Sequence, residues 1–94
     1  MDNYESVILI KSDLTEEQRN ETINKICDFI NENGKVQKVD EIGLRKMAYE
    51  INNYKESYYV VIYFEMDYSN IAELERLYRI TDEVLKYLTV KHED

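Results

Sequence analysis

Two stretches of the chain are apolar or aromatic at nearly every position, without the alternation of a strand that faces water on one side. The first, Tyr4–Ile10, ends in the run Val7-Ile8-Leu9-Ile10, and the second, Tyr58–Phe64, is apolar or aromatic throughout. β-Branched and aromatic residues favour strands, and a continuous apolar run indicates a strand that is covered on both faces. We therefore predict two central strands in one sheet.

Two other segments have the spacing of amphipathic helices. Thr15 and Gln18 have the form of a capping box that opens the first helix, and Gly34 is placed to end it. Ser69 is a candidate cap for the second helix. In each helix the apolar residues recur at the i, i+3, i+4 and i+7 spacing that lines one face. They are Ile23, Ile26, Cys27 and Ile30 in the first helix, and Ile71, Leu74, Leu77 and Tyr78 in the second.

Two further strands complete the pattern. One is the long strand Val36–Ile51, in which Gly43 predicts a bend or bulge, and the other is Val84–Val90. Residues 52–56 form a turn by composition. The order strand, helix, strand, strand, helix, strand gives two right-handed crossovers in one sheet, which is the ferredoxin-like arrangement. We expect an α+β fold in one domain, residues 1–94, with a four-stranded antiparallel sheet, the first and third strands central and two helices on one face.

A sheet with helices on one face leaves its other face uncovered. Alternate residues of the third strand must point away from the helices, because successive strand side chains point to opposite faces. The two possible sets are Tyr59, Val61 and Tyr63, or Tyr58, Val60 and Ile62. Either set leaves an apolar surface, and we expect another molecule to cover it.

The charge of the chain is acidic but uneven. A formal net charge of −8 at pH 7 argues against indiscriminate binding of nucleic acid, because phosphates are repelled at long range. Acidic residues are concentrated in residues 13–32, whereas residues 35–49 and 76–92 are locally basic. The single cysteine, Cys27, excludes an internal disulfide, suits a reducing cytoplasm and is expected to pack in the core. Neither a signal peptide nor a membrane-spanning segment is predicted.

Little in the sequence favours catalysis. The only histidine, His92, lies two residues from the end of the sequence, in a segment that we expect to fray. The carboxylates are scattered along the helices without the clustering of a metal site. Gly34 and Gly43 are the only glycines, so a glycine-rich phosphate loop is excluded. We expect no enzymatic activity, no cofactor and no metal.

Four cations in the second and fourth strands are candidates for phosphate contacts. Arg45 and Lys46 follow Gly43, and Lys86 and Lys91 lie in the last strand. They are also compatible with ordinary solvated positions, and the two strands are opposite edges of the predicted sheet, so the cations need not form one patch. The nine tyrosines would suit base stacking, but the third strand lacks the Lys/Arg-Gly-aromatic sequence of RNA-recognition motifs.

The chain resembles a known family over essentially its whole length. The opening Met1-x-x-Tyr4-Glu5 and the Tyr58-Tyr59 strand with Phe64-Glu65 are similar to that family's pattern. Its most specific part is the block Lys38-Val39-x-x-Ile42-Gly43-Leu44-Arg45-Lys46-Met47-Ala48-Tyr49. The ending is Leu74-Glu75-Arg76-x-x-Arg79-Ile80-x-x-x-Val84-Leu85-Lys86-Tyr87-Leu88-x-Val90-Lys91. On these residues the chain is identified as a member of the family of the sixth protein of the bacterial small ribosomal subunit.

The resemblance implies a structural RNA-binding protein of the ribosome. Such a protein joins the central domain of 16S rRNA as a heterodimer with small-subunit ribosomal protein eighteen, which would cover the apolar sheet face. The implied RNA-binding residues are Arg45, Lys46, Lys86, Lys91 and Lys38. The expected partner-binding residues are Tyr4, Tyr59, Val61 and Tyr63. In isolation we expect a monomer, and the location implied is the cytoplasmic ribosome, without membrane attachment.

Two positions depart from the family pattern. Glu50 follows Tyr49 where the family usually has proline, and Ser57 stands where a glycine is common before the third strand. Both positions affect the geometry of the loops.

The alternative function comes from a different class of protein. It is a ferredoxin-like homodimer that buries its sheet face against a second copy, as a ligand-binding module or a cofactor-free enzyme.

Overall fold

A computed structural model describes residues 1–92 as one four-stranded sheet with two helices packed on one of its faces. The sheet is antiparallel in the order β2-β3-β1-β4. The predicted ferredoxin-like α+β arrangement is therefore confirmed, with the first and third strands in the centre. The elements are β1 (Asp2–Lys11), α1 (Glu16–Asn33), β2 (Gly34–Ile51), β3 (Tyr54–Met66), a short 3-10 turn (Tyr68–Asn70), α2 (Ile71–Ile80) and β4 (Val84–His92).

The core lies between the sheet and the helices. Alternate residues of β1 and β3 face the helices and are almost completely buried, as Ile8 and Ile62 illustrate at 1% and 0% exposure. Burying a side chain of this size contributes about 1.5–3 kcal/mol. The core residues are Tyr4, Ile8, Ile10, Ile23, Ile26, Ile30, Val60, Ile62, Phe64, Met66, Leu74 and Tyr78. Cys27 packs against this core but is only partly buried.

The ends of α1 follow the sequence prediction. Thr15 accepts a hydrogen bond from the backbone N–H of Gln18, and the Gln18 side chain accepts one from the Thr15 N–H, which completes the capping box. Gly34 ends the helix with extended backbone, φ −174°. The reason for a glycine there is space, because a Cβ atom would collide with the carbonyl oxygen of Glu65 on β3.

The start of the second helix differs from the prediction. Ser69 lies in the short 3-10 turn, and α2 begins at Ile71 with Asn70 as its N-cap residue. Asp67 caps the turn, since its carboxylate accepts hydrogen bonds from the Ser69 backbone N–H at 2.9 Å and the Ser69 hydroxyl at 2.8 Å. The Ser69 cap was therefore wrong because an aspartate two residues earlier takes the capping role.

The hairpin between β2 and β3 is tighter than predicted. Asn52 and Asn53 adopt positive φ angles of 49° and 70°, which suits a two-residue hairpin turn, so β3 begins at Tyr54. The turn predicted over residues 52–56 was too long because it counted three strand residues as loop. Gly43 has φ +101° and lies at a register shift between Glu41 and Gly43, which confirms the predicted bulge.

The last strand is longer than predicted and includes His92. The expectation that this residue lies in a frayed tail was wrong: His92 pairs with Asn3 in the sheet, and its Nε2 atom lies 2.8 Å from Glu5 Oε1. Within residues 1–92, the length and polarity of the helices rule each of them out as a membrane span.

Candidate functional site

The face of the sheet away from the helices, here called the open face, has an apolar and aromatic centre. The strand register aligns Leu9 with Tyr59 and Val7 with Val61, and aligns Val7 with Leu88 on the other side. Of the two sets allowed by the sequence, the structure therefore selects the one that contains Tyr59, Val61 and Tyr63. The open-face apolar and aromatic residues are Val7, Leu9, Tyr59, Val61, Tyr63, Leu88 and Val90.

Exposure is uneven across the open face. Val61 is only 6% exposed and Leu9 only 9%, because they lie on the central strands. Leu88 and Val90 on the edge strand β4 are 60% and 43% exposed. The most accessible aliphatic surface therefore lies on two residues that the sequence prediction did not include. Leu88 and Val90 are two positions apart in β4, so they point to the same face of the sheet. This spacing, together with the position of β4 beside β1, would have identified them from the sequence.

Tyr4 does not belong to the open face. Its side chain is 4% exposed on the helix side of the sheet, and its ring stacks on Phe64 with centroids 5.7 Å apart and planes at 20°. Burial raises the pKa of its hydroxyl, and the nearby carboxylate of Asp2 acts in the same direction. The expectation that Tyr4 contacts a partner is therefore corrected, because an apolar run in a central strand does not reveal which face is outside.

Three of the candidate RNA-binding cations lie on the open face. Lys38 is paired with Tyr63, and its Nζ atom is 5.8 Å from the centre of that ring. Arg45 lies opposite Ser57, on the same side as Gly43, and its Nη1 donates a hydrogen bond to the Leu44 carbonyl at 2.8 Å. Lys86 lies opposite Leu9 on β1.

Lys86 meets a residue from the opposite edge of the sheet. Its Nζ donates a hydrogen bond to the Tyr49 hydroxyl at 3.0 Å, and it lies 5.6 Å from the centre of the Tyr49 ring. The hydrogen bond and the charge of the ammonium lower the pKa of Tyr49, and the same bond raises the pKa of Lys86. The tip of β2 therefore contacts β4 across the open face, although those strands are separated by β3 and β1.

Two other candidate cations lie elsewhere. Lys91 is paired with Tyr4 in the register, which places it toward the helix side, and its Nζ is 3.7 Å from Asp2 Oδ2. Lys46 is paired with Glu56, one position along from Ser57, so strand alternation also places it away from the open face. The structure therefore does not bring the five candidate cations into one patch.

Charge varies along the open face. Near the β2–β3 hairpin, two consecutive rows of paired residues run across the strands. One row contains Lys86, Leu9, Tyr59 and Gly43, and the next contains Lys11, Ser57 and Arg45. These rows contain three cations, of which Lys11 was missed by the sequence prediction. The carboxylates of the open face come in the rows further from the hairpin. They are Asp40, Glu5 and Glu65, and the same rows also hold Lys38 and Lys35. The hairpin end is therefore the basic end of the face.

The described residues offer little for catalysis or metal binding. In residues 1–92, His, Cys, Asp and Glu side chains form no group of three or more that could hold a metal ion. Burial raises the pKa of the Cys27 thiol, with a smaller contribution from Asp28, which disfavours the reactive thiolate. His92 has Glu5 as its polar neighbour and a tilted ring contact with Tyr63, with centroids 6.5 Å apart.

The fold and this face define a ferredoxin-like α+β domain with one helix-covered and one open sheet face. The sequence profile of the family described as Ribosomal protein S6 matches residues 3–91. The chain therefore belongs to the ribosomal protein S6 family.

Individual relatives agree with the family match. The protein named small ribosomal subunit protein bS6 from Thermotoga petrophila is 40% identical over 93 residues, which cover 97% of this chain and 73% of the relative. The protein of the same name from Campylobacter jejuni subsp. jejuni is 41% identical over 95 residues, covering 100% of this chain and 76% of the relative. The crystal structure of 30S ribosomal protein S6 from Thermotoga maritima superposes with a TM-score of 0.92 at 39% identity, covering 97% and 87% of the two chains.

Proposed function

We propose that the protein is a structural constituent of the small ribosomal subunit that binds the central domain of 16S rRNA as a heterodimer with small-subunit ribosomal protein eighteen. Its relatives carry the names of small-subunit ribosomal proteins, which supports a structural role in the ribosome and not an enzymatic one. A ribosomal role places the protein in the cytoplasm.

The exposed aliphatic surface of the open face is the observation that carries the protein-partner part of the proposal. Leu88 is 60% exposed beside the partly buried Val7, and Tyr59 and Tyr63 stand in the neighbouring strand. Interfaces are commonly organised around a few aromatic and apolar side chains of this kind with a polar rim. Protein eighteen would cover these side chains and remove them from water.

The basic end of the open face supports the RNA part of the proposal. Arg45 and Lys86 extend from opposite edges, and Lys11 lies between them in the register. We assign the main phosphate contacts to Arg45 and Lys86 at this end and to Lys38 further along β2. A smaller share is assigned to Lys46 and Lys91 on the other side of the sheet. Because the chain carries a net charge of −8, its affinity for RNA should be poor until a basic partner offsets that charge.

Purified protein eighteen tests the proposed docking face. Leu88→Ser should weaken binding by about tenfold or more, the usual effect of removing a central interface side chain. Ile80→Ser is a matched control, because Ile80 is 59% exposed but lies on α2, on the helix side. Equal binding of the Leu88→Ser variant and the unmodified chain, measured by calorimetry, would contradict docking on the open face.

A salt titration tests the proposed phosphate contacts. With protein eighteen and a central-domain fragment of 16S rRNA, Arg45→Ala should reduce the slope of log affinity against log salt by about one unit. Lys25→Ala removes an exposed cation from α1 and should leave the slope unchanged. If both variants keep the unmodified slope, Arg45 does not contact phosphate.

The competing function predicts a different oligomer. A homodimeric ligand-binding module or cofactor-free enzyme would cover the open face with a second copy of the chain. We expect a monomer in isolation, because two copies that each carry a net charge of −8 repel each other. Analytical ultracentrifugation distinguishes the two, and a stable homodimer at micromolar concentration would favour the competing function.

A further inference from the structure

The tip of the β2–β3 hairpin, residues 47–55, is joined to the far edge of the sheet by one polar contact. The Tyr49 hydroxyl accepts a hydrogen bond from Lys86 Nζ at 3.0 Å, while Tyr49 itself is 61% exposed. Water can compete for both groups, so the contact is easily exchanged for another.

A small cavity lies beside this contact on the open face. Its volume is about 190 Å³, and Lys86 forms part of its wall. The other lining residues are Val7, Leu9, Tyr59, Tyr87 and Leu88. The walls are mainly apolar, so the cavity suits an apolar side chain better than a charged group. The Tyr49–Lys86 contact therefore lies at the edge of an apolar depression in the candidate docking surface.

The hairpin tip is held more weakly than the rest of β2. The register passes from Lys46 opposite Glu56 directly to Ile51 opposite Tyr54, which leaves residues 47–50 facing Lys55 alone. Besides the Tyr49–Lys86 bond, the tip is fixed by the Tyr54 hydroxyl, which donates to the Asp13 carboxylate at 3.0 Å. A segment with so few paired backbone groups and exposed polar contacts belongs to the low-stability part of a fold.

We propose that the Tyr49–Lys86 bond holds the hairpin tip across the open face until a protein partner inserts an apolar side chain into the adjacent cavity. This inference rests on the proposed function and concerns its regulation. The inserted side chain displaces the aliphatic part of Lys86, so that Tyr49 separates from it and the N–H donor that Tyr49 engaged becomes available to a phosphate. Protein docking and RNA binding are then coupled through one residue pair.

The coupling has a definite sign. The partner must break the Tyr49–Lys86 bond to dock, so removing that bond in advance strengthens protein docking. The bond to Tyr49 uses one of the three N–H donors of Lys86 and orients the ammonium toward the hairpin tip, so its release by protein docking also strengthens RNA binding. Linkage requires that RNA strengthens docking by the same factor.

Two variants test the proposal against purified protein eighteen in the absence of RNA. Tyr49→Phe keeps the aromatic ring and removes only the hydroxyl, and it should bind protein eighteen about two- to fivefold more tightly, the range expected for an exposed charged contact. Lys86→Met keeps a long side chain and removes the cation. It should also bind protein eighteen at least as tightly as the unmodified chain, yet the resulting heterodimer should bind the central-domain rRNA fragment more weakly.

A spectroscopic control establishes that the bond exists in solution. The pKa of the Tyr49 hydroxyl is held below its ordinary value of 10.0 by Lys86, so in Lys86→Met it should return toward that value in an NMR titration. An unchanged Tyr49 titration would overturn the proposal at its first step.

The outcomes separate this proposal from the proposed function. If protein eighteen binds the unmodified chain and the Tyr49→Phe variant equally, and Leu88→Ser weakens binding, the open face is the docking face but the Tyr49–Lys86 bond does not control it. Weaker binding of Lys86→Met to protein eighteen would overturn the proposal in the same way. If protein eighteen binds none of these chains, the proposed function itself fails.

Discussion

The guanidinium carbon of Arg19 on α1 lies 4.1 Å from the centre of the Tyr58 ring on β3. The Tyr58 hydroxyl in turn donates a hydrogen bond to Glu41 on β2 at 2.9 Å. Burial raises the pKa of Tyr58, and the bond to Glu41 adds to that effect. The Tyr58 side chain thus connects α1 to the edge strand β2. Its contact on β2, Glu41, lies two positions before Gly43 at the bulge.

Removal of the Arg19 side chain should therefore destabilise the fold. A cation over an aromatic ring at a partly exposed site contributes about 0.5–1 kcal/mol, and the aliphatic part of the arginine adds packing. We expect Arg19→Ala to lower the free energy of unfolding by about 1 kcal/mol in a urea titration. Arg76→Ala is the control, because Arg76 pairs with Glu73 at 3.7 Å on the exposed surface and should change stability much less.

The buried hydroxyl of Tyr4 gives a second prediction. This oxygen has no hydrogen-bond partner among the described residues, although the ring is stacked on Phe64. Tyr4→Phe should leave the stability unchanged or raise it by up to about 1 kcal/mol, whereas Tyr4→Ala should cost about 3–5 kcal/mol. Tyr4→Phe should also bind protein eighteen normally. Impaired binding by a Tyr4→Phe variant of full stability would restore Tyr4 to the docking surface.

The bulge at Gly43 should resist substitution. A side chain at φ +101° is strained even though the nearest atom to an added Cβ, Arg45 Nη1, would be 3.9 Å away. The cost therefore comes from the backbone and not from a collision, and we expect Gly43→Ala to destabilise the protein by about 1–2 kcal/mol. Thermal unfolding followed by circular dichroism measures this change. A variant as stable as the unmodified chain would show that the backbone at the bulge relaxes without cost.

The carboxylate of Asp67 predicts a dependence on pH. The backbone N–H of Ser69 is the main cause that lowers the pKa of Asp67 below its ordinary value of 3.8, and the Ser69 hydroxyl contributes as well. A group whose pKa is lower in the folded state stabilises that state above the unfolded value, and this contribution disappears as the pH falls through the folded pKa. Asp67→Ala should therefore be less stable than the unmodified chain at pH 7, and the difference should shrink in acid, below 3.8. A difference that is constant with pH would exclude this cap.

Sequence patterns were sufficient for the strands and their order because burial on two faces leaves a strong local signature. The runs ending at Ile10 and Phe64 identified β1 and β3 as central, and Gly43 marked the bulge. The side of the sheet could not be assigned in the same way. Alternation shows that Tyr4 and Ile8 share a face, but an almost continuous apolar run does not show which face the helices cover.

The arrangement of the candidate site depends on relationships that are distant in the sequence. Tyr49 and Lys86 belong to opposite edge strands, and their contact requires the shifted register of β2 as well as the path of the hairpin across the open face. The exposure of Leu88 depends on its position on an edge strand beside β1. Alternation within a predicted edge strand could have indicated Leu88, but local periodicity does not carry the Tyr49–Lys86 contact. The sequence therefore predicted the types of residue at the site better than their contacts.

An NMR titration with protein eighteen tests docking on the open face most directly. Methyl signals of Val7, Leu9 and Leu88 report the open face, and those of Leu77 and Ile80 report α2 on the opposite side. We predict large shifts confined to the first group when unlabelled protein eighteen is added to the labelled chain. Shifts confined to Leu77 and Ile80, with the open-face signals unmoved, would contradict the proposed docking face.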